Sequence, residues 1–428
     1  MAISAVKGFR DGLGSAARLY SEIETSAIRV LERYGFSQIR LPILERTELF
    51  ARAIGETTDI VEKEMYTFPD RDGTLLTLRP EGTASAVRAF VEHHLDQTDS
   101  VTKLYYSGPI FRHERPQKGR YRQFEQIGAE LFGRDDPLAD AEVLTCVRDV
   151  LDELGLATAR IMINSLGDAS CRPKYRERLR AWGEEHRAEL CPNCVRRIEK
   201  NPLRLLDCKE EGCRKLSETA PLLRDSLCEP CASHFAQVRS LLDAMGVVYE
   251  VDPRLVRGLD YYERTSFEVT AEGLGSQAAV AGGGRYDGLV ARLGGPKIAA
   301  IGFAFGLDRL ALAVQAARAT AEQDAALALV PAVFIASLGA DTRADALALA
   351  RKLRRLGVRV ELDGGRSLKS LMRRADRLGA PRVLILGEDE VAVRRGTLRH
   401  MTEQRDEKQA VDFDLEGPAL LEAVGVAR

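Results

Sequence analysis

The sequence predicts an α+β protein that ends in a separate α/β domain with a mixed sheet. At 428 residues the chain is too long for one hydrophobic core. Residues after about 326 follow a β-α-β-α-β order, which is typical of an independent α/β unit. Residues from about 168 to 235 are rich in Arg, Glu and Cys, which indicates a small helical insertion. We therefore expect domains at 1–325 and 326–428.

The first predicted elements are a helix and an extended segment. Apolar residues from Leu19 to Tyr34 recur at helical spacing, and Gly35 stands where a helix commonly ends. Phe36–Leu44 then reads as a strand, which Pro42 restricts to an edge or a bend. Edge strands invite pairing with a second chain.

The next predicted strand runs through Leu75–Thr83 (LLTLRPEGT) and ends in a Pro-Gly turn. That turn places Glu81 and Thr83 at the end of a sheet. Thr83 is expected to cap a helix over Ala84–His94. Capping alone explains these two residues, but a carboxylate at this position also suits an ammonium group.

The central stretch, FRHERPQKGRYRQFEQIGAE, predicts a charged loop between two strands, Lys103–Tyr106 and Phe124–Phe132. Its cations are Arg112, Arg115, Lys118, Arg120 and Arg122. Such a loop can simply be solvated. Gln126 and Glu130, however, have the even spacing that places side chains on one face of a strand. Cations beside a polar strand face favour a phosphorylated substrate.

The cysteines of the insertion leave two interpretations open. Cys191-x2-Cys194 and Cys228-x2-Cys231 would suit a tetrahedral zinc, with Cys208 or Cys213 as competing ligands. The spacing between the pairs is longer than usual, and reduced thiols need no partner.

Three later segments combine Gly and Arg, and the first two also contain Tyr: LVRGLDYY (Leu255–Tyr262), VAGGGRYDGL (Val280–Leu289) and AIGFAFGLDRL (Ala300–Leu310). The first could be a structural turn. Three consecutive glycines form either a loop or a strand that a ligand approaches closely. Arg309 lies among apolar residues, which is costly unless the guanidinium is paired.

In the C-terminal part, we predict strands at Val333–Ser337, Val358–Leu362 and Val383–Leu386, with helices between them. A hairpin of Val391–Arg395 and Thr397–Met401 and a helix near Pro418–Val424 complete this domain. Residues 351–382 contain 11 Lys or Arg against 3 Asp or Glu, a local charge of +8. They could be solvated helix faces, but they suit a polyanion better.

Bulk composition points to a cytosolic soluble protein. Net charge is −2, so bulk charge does not indicate nucleic-acid binding. The N-terminus lacks the apolar region of a secretory signal, and the longest apolar stretch is too short to span a bilayer. Eight cysteines without such a signal favour thiols or a metal over disulfides.

Five segments, in the matching order, resemble the signatures of bacterial histidyl-tRNA synthetases, a family of class II aminoacyl-tRNA synthetases. The helix, strand and Pro42 are similar to class II motif 1, FRHERPQKGRYRQFEQIGAE to motif 2, and AIGFAFGLDRL to motif 3. LVRGLDYY and GGGRYDGL match the two histidine-pocket signatures. The resemblance implies a class II catalytic domain, with an antiparallel sheet flanked by helices, and a C-terminal anticodon-binding domain.

The resemblance also implies roles for individual residues. Arg112 would contact the α-phosphate and the carboxylate, Arg257 would stabilise charge at the α-phosphate, and Arg309 would hold the γ-phosphate. Phe124 would stack on adenine. Histidine would be selected by Glu81, Thr83, Gln126, Glu130, Tyr261, Tyr262 and Tyr286, with Tyr262 and Glu130 on the imidazole. Arg115 and Gln117 would meet the acceptor end of the tRNA.

By resemblance, the protein ligates histidine to its tRNA through a histidyl-adenylate, uses ATP with Mg²⁺, and forms a homodimer. In the C-terminal domain, Gly364–Arg366 and Lys369 resemble a segment of the family, with Leu371 replacing a commonly polar residue. Two alternatives remain: a regulatory subunit of ATP phosphoribosyltransferase, which shares the fold but lacks the C-terminal domain, and a non-catalytic RNA-binding regulator.

Overall fold

The computed structural model describes residues 3–55, 58–117, 119–274, 278–319, 330–401 and 408–426. Lys118 and residues 320–329, which include the predicted boundary between the two domains, lie outside the described residues. The chain divides into two units, Met1–Ala326 and Leu327–Arg428.

The first unit is built around a large sheet. Its elements up to the insertion are α1 (Gly14–Arg33), β1 (Ser37–Gln38), β2 (Leu44–Arg46), α2 (Thr47–Ile54), β3 (Tyr66–Pro69), β4 (Leu75–Leu78), α3 (Thr83–Glu92), β5 (Thr102–Phe111), β6 (Gln123–Phe132), α4 (Pro137–Glu153) and β7 (Arg160–Ser165). After the insertion come β8 (Glu250–Val251), β9 (Glu263–Thr270), β10 (Ala279–Arg285), α9 (Leu289–Arg292), β11 (Ala300–Gly306) and α10 (Leu307–Ala319).

Within the described residues, eight strands form one sheet in the order β1-β5-β6-β11-β10-β9-β7-β8. The pairs from β5 to β7 are antiparallel, and the short edge strands β1 and β8 pair in parallel. A smaller antiparallel sheet has the order β2-β4-β3. Helices pack against the large sheet, so the predicted α+β class with a largely antiparallel sheet is confirmed.

The insertion between β7 and β8 is helical, as predicted. It contains α5 (Arg172–Glu185), α6 (Pro192–Lys200), α7 (Glu211–Leu216) and α8 (Glu229–Ala244). Its buried residues, among them Tyr175, Leu179 and Ile198, belong to one apolar cluster with Phe50 of α2 and Phe90 of α3. The insertion therefore packs tightly against the rest of the first unit.

The second unit contains β12 (Val333–Ser337), α11 (Arg343–Arg355), β13 (Val360–Gly364), α12 (Leu368–Arg377), β14 (Arg382–Leu386), α13 (Glu388–Ala392), β15 (Arg395–His400), β16 (Lys408–Asp412) and α14 (Gly417–Ala423). Its described strands form a mixed sheet in the order β13-β12-β14-β15-β16. The predicted hairpin of Val391–Arg395 and Thr397–Met401 is wrong. Residues 388–392 are helical, and β15 pairs instead with β14 and β16.

Of the two elements predicted near the N-terminus, the helix is confirmed and the strand is wrong. Helix α1 ends as expected, with Gly35 at φ +80°, a conformation that favours glycine. The segment Phe36–Leu44 is not one strand, because only Ser37–Gln38 pairs with β5 at the sheet edge and Leu44 already begins β2. Of the helices in the described part of the chain, none has the length and apolar character of a membrane span.

Candidate functional site

A cavity of about 280 Å³ lies over one face of the large sheet. Many of the predicted site residues line it: Glu81, Thr83, Arg112, Phe124, Gln126, Arg257, Tyr261, Tyr262 and Arg309. They come from β6, the ends of α3 and α10, and the loops before β6 and β9. The structure therefore brings together residues up to 228 positions apart, from Glu81 to Arg309.

The register of β5 and β6 shapes the cavity floor. Tyr106 lies opposite Gly128, and its ring also packs against Gly82. A Cβ at Gly128 or Gly82 would come within 2.3 Å or 2.1 Å of that ring. Glycine at these two positions is what allows the buried tyrosine to lie flat on the sheet and face the cavity.

Glu81, rather than Thr83, caps helix α3. Its carboxylate accepts hydrogen bonds from the backbone N–H groups of Thr83 and Ala84, both at 2.7 Å, and the Thr83 side chain makes no cap bond. The prediction of Thr83 as the cap is wrong because its hydroxyl is drawn to Glu130, 2.7 Å away.

Glu81 is a buried carboxylate on the cavity wall. It is 3% exposed, and among the described residues no Lys, Arg or His pairs with it. Burial raises the pKa of Glu81, against the lowering effect of the two N–H donors and of Arg112. A cation entering the cavity would remove this cost of burial, so the site suits an ammonium group.

Glu130 lies behind the cavity wall rather than on it. Its carboxyl oxygens are hydrogen-bonded by the hydroxyls of Thr83, Tyr106 and Tyr286, the last in a very short contact. Burial raises the pKa of Glu130 to about 8, and these hydroxyl donors only partly oppose that rise. Tyr286 is buried beside Glu130 and does not line the cavity.

This raised pKa predicts a pH-dependent stability. Between pH 4.5 and about 8 the unfolded chain ionises Glu130 while the folded protein keeps it protonated, so the free energy of unfolding falls as pH rises. Glu130→Gln should remove this part of the slope. Urea unfolding of both proteins across this pH range measures it, and parallel curves would contradict the assignment.

The other end of the cavity is cationic. The Arg112 guanidinium lies 5.5 Å from the centre of the Phe124 ring and donates to the Pro80 carbonyl at 2.7 Å. Arg120 pairs with Glu114 at 2.8 Å. Arg309 donates to the Ala279 carbonyl at 2.8 Å, and burial lowers its pKa. These arginines surround an aromatic face, which suits a nucleoside with its phosphates.

Arg257 connects the two ends. It follows β8 in an irregular loop and forms an ion pair with Glu268 of β9. A Cβ at Gly282 would lie 2.0 Å from a guanidinium nitrogen, so the glycine run in β10 makes room for Arg257. Among the described residues the Arg257 Nε is buried without a hydrogen-bond partner, which leaves a donor for an incoming anion.

Sequence reasoning missed several residues of the cavity. Glu268 partners Arg257, and its position between Phe267 and Val269 in an apolar strand was a usable signal. Asp308 accepts hydrogen bonds from Arg10 and Tyr20 and ties the N-terminal segment to the cavity rim. That long-range contact carries no local signal.

The loop between β5 and β6 presents Arg115 and Gln117 at its exposed end. Neither lines the cavity. A backbone bridge between Gln117 and Arg120 closes the loop. A polyanion approaching the cavity mouth would meet the exposed Arg115 before the half-buried arginines that line the cavity.

The predicted zinc ligand set needs correction. The structure separates Cys191 and Cys194 from Cys228 and Cys231. Cys191 and Cys194 group with Cys208 and Cys213, whereas Cys228 and Cys231 group with Asp168 and Cys171. Each pair opens a different helix, α6 or α8, and these helices pack against different segments.

In the second unit, α12 turns an exposed basic face outwards. Arg366, Lys369, Arg373 and Arg377 are exposed, whereas Arg374 is paired with Glu361 and Asp363. Leu371, which departs from the family pattern, is fully buried in the apolar cluster under the helix. The leucine at this position, where the family commonly has a polar residue, therefore contributes to the packing under α12.

The largely antiparallel sheet, the arginine-bearing hairpin of β5 and β6, and the helix α10 that carries Arg309 after β11 are the architecture of a class II aminoacyl-tRNA synthetase. The family profile described as histidyl-tRNA synthetase matches residues 8–310, and that described as anticodon binding domain matches residues 332–416. The chain belongs to the histidyl-tRNA synthetase family.

Similar proteins agree along nearly the whole chain. The chain is 51% identical over 404 residues to the histidine–tRNA ligase of Trichlorobacter lovleyi, covering 94% of each, and 51% identical over 400 residues to that of Geobacter metallireducens, covering 93% and 95%. The apo histidyl-tRNA synthetase of S. aureus has a TM-score of 0.78 at 34% identity, with 96% and 98% covered.

Proposed function

We propose that this protein activates histidine with ATP and transfers it to tRNA(His), releasing AMP and pyrophosphate. One observation carries the proposal: a single cavity joins the buried carboxylate of Glu81, which has no cationic partner among the described residues, to the cluster of Arg112, Arg257 and Arg309. An amino acid and a nucleoside triphosphate present these complementary charges, with the amino acid's carboxylate beside the α-phosphate.

In the first step the histidine carboxylate attacks the α-phosphorus and pyrophosphate leaves. Arg112 binds the carboxylate and the α-phosphate, and Arg257 stabilises the charge that grows there. Arg309 holds the γ-phosphate, and adenine stacks on Phe124. Such transfers depend mainly on positioning and charge stabilisation, which fixed guanidinium groups supply.

Mg²⁺ would accompany the ATP. It is typically held by phosphate oxygens with one or two carboxylates. Glu268 and Glu114 line the cavity and fit that need, each already beside an arginine. The ion would neutralise charge on the departing pyrophosphate.

Histidine is selected by its two ends. Glu81, Thr83, Gln126 and Tyr261 take the ammonium end. The imidazole has one donor and one acceptor nitrogen when neutral, so Tyr262 on the cavity wall donates to one nitrogen. Glu130, which lies just behind that wall, would accept from the other nitrogen when the bound ring reaches it. Burial raises the pKa of Tyr262 to about 12, which keeps its hydroxyl a donor. Tyr286 holds the Glu130 carboxyl in place from behind.

In the second step the terminal ribose hydroxyl of the tRNA attacks the adenylate carbonyl and AMP leaves. Arg115 and Gln117 at the exposed loop end would contact the acceptor end. The basic face of α12 would contact the anticodon region. The catalytic and anticodon-binding domains are taken as residues 1–325 and 326–428.

The role of α12 predicts a selective defect. Arg373→Glu should raise KM for tRNA about tenfold and lower the salt dependence of binding by about one unit of slope, because one phosphate contact is lost. Histidine-dependent ATP–pyrophosphate exchange should not change. Aminoacylation kinetics at several salt concentrations measure the KM for tRNA and its salt dependence. Arg71→Glu, in the exposed turn between β3 and β4, is the matched control, and an equal loss there would contradict the assignment.

We also propose that the protein is a homodimer that acts in the cytoplasm. The apolar Ile43 and Leu44, which follow the edge strand β1 along the chain, are 43% and 42% exposed. This stretch offers an apolar face and a strand edge to a second chain. Histidine, ATP and tRNA meet in the cytoplasm.

Charging of tRNA(His) tests the whole proposal. The purified protein with ATP and labelled histidine should form acid-precipitable histidyl-tRNA from tRNA(His) and not from another tRNA. Absence of charging by protein that shows histidine-dependent exchange would remove the second step.

A further inference from the structure

Helix α6 of the insertion begins at a cluster of four thiols. Cys191 precedes the helix and Cys194 lies in its first turn, while Cys208 and Cys213 reach the same point from the loop before α7 and from α7 itself. All four sulfurs lie within 4.8 Å of one another. Cys194, Cys208 and Cys213 are buried.

The spacing of these sulfurs is that of a metal site. Four thiolates around Zn²⁺ at about 2.3 Å sit about 3.8 Å apart at the corners of a tetrahedron. The Sγ atoms of Cys191 and Cys208 are 3.8 Å apart, too far for a disulfide. The backbone N–H of Cys191 also donates to the Cys213 sulfur at 3.1 Å, which supports a thiolate there.

A second cluster has the same construction at the start of α8. Cys228 precedes this helix and Cys231 lies in it, and they meet Asp168 and Cys171 just before α5. The sulfurs of Cys171 and Cys231 are 3.9 Å apart, and those of Cys171 and Cys228 lie 3.6 Å and 3.8 Å from an Asp168 oxygen. Arg264 is 3.8 Å from the other Asp168 oxygen, and the Ser170 N–H donates to this one at 2.9 Å, which leaves it a second lone pair for a metal.

We propose that the insertion binds two Zn²⁺ ions, one through Cys191, Cys194, Cys208 and Cys213, the other through Asp168, Cys171, Cys228 and Cys231. Simple core packing explains buried thiols but not two groups in which four ligand atoms converge on one point. In both groups two ligands with two residues between them lie at the start of a helix, and the other two come from another segment. Each ion therefore cross-links two parts of the insertion.

The four-cysteine site also braces the catalytic cavity. The segment between its two ligand pairs contacts the loop that carries Arg257. The Asn201 amide donates to Asp260 at 2.9 Å, and Arg204 donates to the Arg257 carbonyl at 3.4 Å. An ion that holds both ends of this segment therefore positions that loop. The bracing role rests on the proposed function, whereas metal binding by the four cysteines does not.

Metal analysis of the full-length protein tests the proposal. Protein produced with zinc and purified without chelators should contain two zinc ions per chain. Cys208→Ser and Cys228→Ser should each reduce this to one, while Cys146→Ala, at a buried cysteine of α4 outside both clusters, should keep two. Cobalt replacement should give the charge-transfer and visible bands of tetrahedral thiolate sites.

Folded wild-type protein without zinc and without cobalt bands would overturn both sites. If the wild-type protein binds a single zinc ion, the cluster whose Cys→Ser variant loses that ion is the metal site, and the other cluster is overturned. If a variant does not fold, the wild-type cobalt spectrum decides. Cys208→Ser should also slow pyrophosphate exchange about tenfold, and the control Cys146→Ala, outside both clusters, should not. If Cys208→Ser loses one ion but exchanges pyrophosphate at the wild-type rate, the bracing role is overturned while the metal assignment stands.

Discussion

Arg257→Ala is expected to lower kcat for histidine-dependent ATP–pyrophosphate exchange by at least about 10²–10³-fold while histidine binds almost as before. The Arg257 guanidinium lies in the cavity between the proposed histidine and phosphate ends and retains a buried donor. Losing a donor aimed at developing charge costs about this factor. Exchange kinetics and histidine binding by calorimetry give the two quantities separately.

Two further variants make this test specific. Removing Arg257 also leaves the Glu268 carboxylate unpaired near the phosphates, so Arg257→Ala combined with Glu268→Gln shows how much of the loss is repulsion. Arg254→Ala is the matched control, because Arg254 lies in the same loop but bonds to the backbone of the insertion. Near-native exchange by Arg257→Ala would contradict the assigned role.

The second large effect is expected for Glu81→Gln, which should weaken histidine binding at least about 100-fold. A charge pair broken on one side in a buried site typically costs 2–5 kcal/mol. The amide keeps the shape and one acceptor for the N–H groups of Thr83 and Ala84, so the fold should persist. Calorimetry with histidine and with imidazolepropionate, which lacks the ammonium, isolates the charge.

Wild-type protein should prefer histidine strongly, and Glu81→Gln should lose most of that preference. Glu92→Gln makes the same chemical change at the exposed far end of α3 and should leave binding unchanged. If Glu81→Gln still discriminated between the two ligands as the wild type does, the ammonium would be bound elsewhere.

Much of the fold was predictable because its signals are local. Helices α1, α11 and α12 are followed by Gly35, Gly357 and Gly379, all at positive φ, and the strands of the central hairpin follow its apolar pattern. The prediction of a hairpin at residues 391–401 was wrong because it gave more weight to the β-branched valines than to the signals for a helix start before them. Glu390 accepts the Gly387 N–H there, and three acidic residues favour the helix N-terminus.

Which residues line the cavity was largely predictable, but their arrangement was less so. The resemblance indicated the residues that line the cavity, but the sequence could not show that Glu130 and Tyr286 lie behind its wall. Nor could it show that Thr83 bonds to Glu130, 47 positions away, in place of capping its helix. The cysteine grouping failed for the same reason, because Asp168 and Cys171 join Cys228 and Cys231 only through the packing of the insertion.

The central claim is histidine activation, and ATP–pyrophosphate exchange with each amino acid in turn tests it most directly. Exchange with histidine alone is the predicted result. No exchange with any amino acid, from folded protein that still binds histidine, would contradict the claim and favour a regulatory subunit of ATP phosphoribosyltransferase.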